Sequence, residues 1–115
     1  MTREEWKAFY ELKTGGKFYH NPEHNIEYAP DNSFMIWYIK GDYVWIDQTV
    51  GDGEYWRKFI FQKAREHKGL LKTMTRRNPR VFQRLWKVAI IVDELSVAED
   101  GRIVWVLELE VGKEE

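Results

Sequence analysis

Cysteine is missing from all 115 residues, which excludes disulfide stapling, thiol catalysis and thiolate metal sites. Apolar runs of membrane-spanning length are also missing. Met1-Thr2-Arg3-Glu4-Glu5 is too acidic and polar to open a secretory signal. A cytoplasmic protein with no membrane partner is the expectation. Nor is there an excess of one charge: 18 Lys and Arg against 19 Asp and Glu leave a formal net charge of −1, so the total implies no nucleic acid or lipid surface. No internal repeat, linker or low-complexity tract is found. What the chain has in quantity is aromatic side chains, 16% of residues within a hydrophobic fraction of 43%. Such a composition argues against disorder and for a core rich in Trp, Tyr and Phe. The length suffices for one core, hence a single domain over residues 1–115.

Periodicity and punctuation predict the elements. Thr2 with Glu5 three residues on is a capping-box pattern, and Trp6, Phe9, Tyr10 and Lys13 recur at helical spacing until Gly15-Gly16. The first helix is expected over residues 3–13. Residues 17–32 mix aromatics with Asn21-Pro22, Pro30 and Asp31-Asn32, which predicts an irregular stretch, a loop or at most one brief strand near Ile26 to Tyr28. Ser33 to Lys40 and Tyr43 to Asp47 are β-rich runs parted by Gly41-Asp42 and read as a hairpin. Tyr55, Trp56, Phe59, Ile60, Lys63 and Ala64 then repeat at three and four, giving a second helix that ends near Lys68-Gly69. Leu70 to Thr75 is a short strand. Asn78-Pro79 has the form of an N-cap followed by proline at the first helical position, with a helix through Lys87. Val88 to Leu95 and Ile103 to Val111, separated by Glu99-Asp100-Gly101, close the chain as a second hairpin. The fold class is α/β (α+β), a mixed, mostly antiparallel sheet flanked by helices.

The segment Gln48-Thr49-Val50-Gly51-Asp52-Gly53 stands between a strand and the long helix. Its two glycines leave main-chain N–H groups unshielded at a helix start, where the aligned peptide dipoles attract an anion. Asp52 has two readings there. A carboxylate about 6 Å from a phosphate repels it by roughly 3 kcal/mol at an effective dielectric of 20, or Asp52 turns outward and caps the helix. Arg57, Lys58, Arg76, Arg77 and Arg80 supply cations in the neighbourhood.

A Gln-x-x-Gly-x-Gly turn in this position, within this order of elements, resembles the GNAT superfamily of acyl-CoA-dependent N-acetyltransferases, in the shortened form found in small proteins of bacteria and their phages. A second match, Thr75-Arg76-Arg77-Asn78-Pro79-Arg80, lies after the next strand, and the two together span residues 34–111. The resemblance implies a GNAT-like acyl-CoA N-acyltransferase fold that takes acetyl-CoA as cosubstrate and transfers its acetyl group to an unknown amine or protein acceptor. It gives the pyrophosphate to Gln48, Thr49, Val50, Gly51, Asp52 and Gly53, and the pantetheine arm to Asn78. The family's general-acid Tyr falls on Leu85, with Trp86 beside it, so the resemblance assigns no acid here. Asp47 is the candidate general base, placed by simple alternation on the strand face of Tyr43 and Trp45. His24, Glu27 and Tyr28 are candidates for lining the acceptor side. The alternative is a catalytically inactive GNAT-fold binding module acting through a protein partner. A homodimer is compatible with either.

Three other patterns carry weaker chemistry. His20-Asn21-Pro22-Glu23-His24 offers two imidazoles and a carboxylate, but Pro22 interferes with a helix that would stack the histidines and no third ligand cluster is visible, so no metal is assigned. Arg76, Arg80 and Arg84 share a helical stripe with Arg77 and Lys87 nearby, read as a solvated face in preference to a nucleic-acid grip. Phe34, Trp37, Tyr38, Tyr43 and Trp45 could stack bases, but alternation on a helix-covered sheet makes them core.

Overall fold

The computed structural model describes residues 1–75, 79–86, 91–97 and 103–111. The elements run α1 (Arg3–Thr14), β1 (Asn25–Tyr28), β2 (Phe34–Lys40), β3 (Tyr43–Thr49), α2 (Gly53–Glu66), β4 (Leu70–Thr75), α3 (Pro79–Trp86), β5 (Ile91–Val97) and β6 (Ile103–Glu110). This is the order the sequence predicts. The expected N-cap Asn78, the end of the third helix at Lys87, the start of the next strand at Val88 and the Glu99-Asp100-Gly101 turn lie outside the described residues.

Local chemistry accounts for the helix ends. Thr2 Oγ1 accepts the Glu5 N–H at 3.1 Å, and the Glu5 carboxylate accepts the Thr2 N–H at 2.9 Å, so the capping box closes. Gly15, with φ 74°, donates its N–H to Glu11 O and stops the helix. At the far end of α2 the Gly69 N–H returns to Ala64 O at 2.7 Å, and β4 starts one residue later.

One six-stranded sheet holds every strand in the order β1-β2-β3-β4-β6-β5. Every neighbouring pair is antiparallel except β3 and β4, which run parallel and are joined across α2. A parallel pair cannot be closed by a tight turn, so α2 crosses over one face. There it buries Trp56, Ile60, Phe61 and Ala64 against Met35, Val44, Ile46, Leu71, Leu107 and Leu109, with Trp86 of α3 edge-on to Phe61. The second face carries a smaller core of Phe34, Ile36 and Val50, covered by Trp6 and Tyr10 of α1 with Phe18, Ile26 and Tyr28. The start of β2 is therefore buried on both sides, which is why its residues do not alternate. Among the described residues no helix is long and apolar enough to cross a membrane.

Strand β3 runs two residues beyond its expected end at Asp47, because Gln48 and Thr49 continue to pair with Ile36 and Met35. Between those pairs and Trp37↔Ile46 the register skips Asp47. That bulge resets the alternation, so Gln48 stands across from Ile36 of the second core, while the preceding Asp47 reaches His24 in the loop before β1.

Candidate functional site

The predicted anion turn is tightly built from behind. Gly51 has φ 118°, and a Cβ placed on it would run into the Ser33 side chain with Trp56 Nε1 close beyond. Ser33 is fully buried. Its hydroxyl donates to Asp31 Oδ1 and accepts from Trp56 Nε1 at 3.3 Å, while the same indole N–H also reaches Val50 O at 3.1 Å. The Ser33 hydroxyl and, next, the Ser33 amide hold the Asp31 carboxyl below its ordinary range. Glycine at position 51 thus serves close packing of the turn on Ser33, with a backbone angle that other residues rarely adopt.

The donors of the turn divide into two groups. The Val50 N–H bonds Phe34 O at 3.1 Å, and Thr49 Oγ1 donates to the same carbonyl at 3.3 Å. The Gln48 side-chain amide grips the Tyr19 main chain, donating to its carbonyl and accepting from its N–H at 3.4 Å. These three residues hold the chain together. Asp52 takes the capping role of its two readings: its carboxylate accepts the N–H groups of Glu54 at 2.9 Å and Tyr55 at 3.4 Å. The amides of Gly51, Asp52 and Gly53 have no protein acceptor among the described residues. A Cβ on Gly53 would meet nothing within 4 Å, so there is open space on the side-chain side of that residue. Beside the turn, Ala29, Pro30, Asp31, Asp52 and Tyr55 line a shallow cavity of about 200 Å³. Two carboxylates border it, so that flank suits an anion less than the glycine flank does.

Next to the turn the sheet opens. Parallel pairing of β3 with β4 covers only Val44↔Leu71, Trp45↔Lys72 and Ile46↔Thr73, and Thr73 Oγ1 reaches Ile46 O at 3.4 Å. Beyond that point β3 stays with β2 through Thr49, and β4 stays with β6 through Thr75. The two central strands therefore part toward their C-terminal ends, where crossover sheets present unpaired main-chain groups.

A row of side chains crosses the sheet at the middle one of the three β3–β4 pairs. The register Tyr38↔Trp45, Trp45↔Lys72 and Lys72↔Glu108 sets four strands side by side. The Tyr38 and Trp45 rings are parallel within 3° at 6.1 Å, and the His24 ring lies on Tyr38 at 4.0 Å. Lys72 Nζ stands 4.5 Å from the Tyr43 ring and 5.7 Å from that of Trp45. The Tyr43 hydroxyl donates to Glu108 Oε1 at 2.7 Å. Asp47, on the bulge, places Oδ2 3.4 Å from His24 Nδ1. Burial first, and then the Asp47 charge, push the Tyr38 phenol above its ordinary value, so it stays a neutral hydroxyl at physiological pH.

The remaining expectations sort as follows. Tyr38, Tyr43 and Trp45 are half-buried members of this row, whereas Phe34 is true core on the α1 face and Trp37 packs against the core on the α2 face. Tyr28 lies under the Arg3 guanidinium at 3.6 Å, on the α1 side of the sheet. Glu27 pairs in register with Met35. His20 Nε2 contacts the His24 carbonyl at 2.8 Å. Among the described residues no group of three or more His, Asp or Glu could hold a metal ion. Arg80 and Arg84 are exposed on α3, and Trp86 is buried against Phe61. Arg76, Arg77, Asn78 and the Leu85 side chain lie outside the described residues. The contact of His24 with Asp47 has no local signal in the sequence, since it joins residues on separate segments across a bulge. No protein-family model matches the chain, and no curated protein sequence matches it.

Proposed function

We propose that this chain is a GNAT-like acyl-CoA-binding protein that transfers an acetyl group from acetyl-CoA to an amine. The observation that carries the reading is the β3–α2–β4 unit. Two parallel strands part after three pairs, and the helix that joins them begins at a turn whose Gly51, Asp52 and Gly53 amides have no acceptor among the described residues. Those amides and the start of α2 would hold the pyrophosphate, and Lys58 and Arg57 on the first turns add positive charge. The parted strand edges supply main-chain donors and acceptors for the amide-bearing pantetheine arm, in the manner of an added strand. Gln48, Thr49 and Val50 serve this site as its frame, because their own hydrogen-bonding groups are engaged within the chain. When bound, acetyl-CoA supplies an activated acyl carbon with a thiolate leaving group.

A second reading has its own observation. The Asp52 carboxylate occupies two of the helix-start amides and puts negative charge where a phosphate would come. That favours a binding module of the same scaffold, acting through a protein partner without cofactor.

Thermal unfolding separates the two. Acetyl-CoA at 100 times its dissociation constant adds about 2.7 kcal/mol to the folded state, a rise in Tm of roughly 10 °C for a domain of this size. Gly53→Asp, which extends into open space without strain, should abolish the rise and leave the unliganded Tm nearly unchanged. No shift of the wild-type protein at millimolar acetyl-CoA rejects the acyltransferase reading and leaves the binding module.

A further inference from the structure

The acyltransferase reading requires a group that removes a proton from the attacking amine, and the structure brings one imidazole to the parting of the central strands. His24 belongs to the loop before β1, and Asp47 is the bulged residue just beyond the last β3–β4 pair. Their side chains meet at 3.4 Å, Nδ1 to Oδ2. That distance suits an ion pair, although its geometry falls short of a hydrogen bond, and His24 Nδ1 has no other partner and is sealed from solvent. Two side chains hold the imidazole, and a third contact fixes its main chain. Tyr38 covers one ring face at 4.0 Å, Asp47 faces Nδ1, and the His24 carbonyl is tied to His20 Nε2. The 20% of the side chain that remains accessible excludes Nδ1, so the reachable part of the ring is its remaining edge. A carboxylate facing Nδ1 favours the tautomer with the proton there, leaving the Nε2 lone pair free to accept another. Asp47 and Tyr38 are the titratable groups in contact with this ring; His20 touches the His24 main-chain carbonyl, and Lys72 stands farther along the same row, beyond Trp45.

We propose that His24 is the proton acceptor of the transfer reaction, that Asp47 is its positioning residue, and that the acceptor is a primary amine arriving along the His24–Tyr38–Trp45 wall. The proposal rests on the acyltransferase reading. As the amine nitrogen bonds to the acyl carbon, His24 Nε2 takes the proton it loses. The C–S bond of the thioester breaks, its electron pair leaves on sulfur, and water protonates the thiolate. No side-chain acid is needed, because a thiol titrates near neutrality while an alcohol does not.

Three readouts test this, the first independent of turnover. In nitrogen-detected NMR of the free protein at about pH 8, where imidazole is neutral, His24 should show the Nδ1–H tautomer, and Asp47→Asn should lose it. Next, CoA release from acetyl-CoA is followed with benzylamine as probe amine, water serving as the competing nucleophile. His24→Gln should slow release about 100-fold, the size of a general-base contribution. Finally, the acetyl-CoA-induced Tm rise should be the same in His24→Gln as in the wild type. An Nε2–H tautomer in the wild type overturns the proposal, as does a His24→Gln rate within twofold of wild type. Wild-type release no faster than buffer despite a Tm rise also overturns it, while leaving cofactor binding intact. Absence of the Tm rise in both proteins defeats the acyltransferase reading itself, and the proposal with it.

Discussion

The turn that opens α2 and the row that crosses the central strands just before they part are both built from polar and aromatic side chains, but they commit them differently. In the turn the side chains are committed to protein partners and only main-chain amides stay open: Ser33 joins Asp31 to Trp56, the Trp56 indole reaches Val50, and Asp52 caps the helix. In the row the aromatic faces are half-buried and stacked, yet His24 Nδ1 is without a hydrogen bond and the Asp47 side chain stays partly accessible. A saturated polar network specifies geometry, whereas an under-committed one keeps capacity for a ligand. The difference teaches that the motif legible as a binding turn is chiefly a structural joint. The chemistry that joint positions lies one strand face away.

Substitutions at the joint should be costly and those in the row cheap. The largest effect is expected from Gly51→Ala, where a methyl group meets Ser33 and φ 118° is strained for any side chain. A loss on the order of 3 kcal/mol is expected in urea unfolding, and a loss below about 0.5 kcal/mol would break the comparison. Asp52→Gly should be intermediate. It should lower stability by only a few tenths of a kcal/mol, since glycine is a tolerated N-cap. It also frees the Glu54 and Tyr55 amides and removes a negative charge, so acetyl-CoA should bind about tenfold tighter by calorimetry. Unchanged or weaker binding would show that the turn does not face the phosphates. The smallest effect on stability belongs to Trp45→Ser in the open row. A change within about 0.5 kcal/mol is expected from a half-buried ring on a solvent-facing strand. A loss above about 2 kcal/mol would mean that the row is core and not surface.

Much of the fold could be read from short-range chemistry. The capping box of Thr2 with Glu5, the stripe Trp56, Ile60, Phe61 and Ala64, and the turn at Gly41 act within a few residues, so their letters suffice. The brief strand near Ile26 was legible only at its centre, because its limits follow from where β2 offers partners. Of the site, the glycine turn was legible as a helix start and Asp47 as a carboxylate on the strand face of Tyr43 and Trp45. The lock of Gly51 on Ser33 was not, since it joins the turn to the end of a different loop. The face of Asp47 relative to Gln48 was also hidden, because a bulge is a property of a strand pair and leaves no mark in one strand alone.

Residue order settled the elements, their sequence and the class of sheet they form, because propensity, capping and hydrophobic period operate along the chain. Which strands became neighbours, where β3 and β4 separate, and that His24 comes to rest against Asp47 were decided only when the sheet assembled. Those outcomes depend on cross-strand register and on packing two cores against opposite faces, contacts between residues far apart that no local pattern encodes.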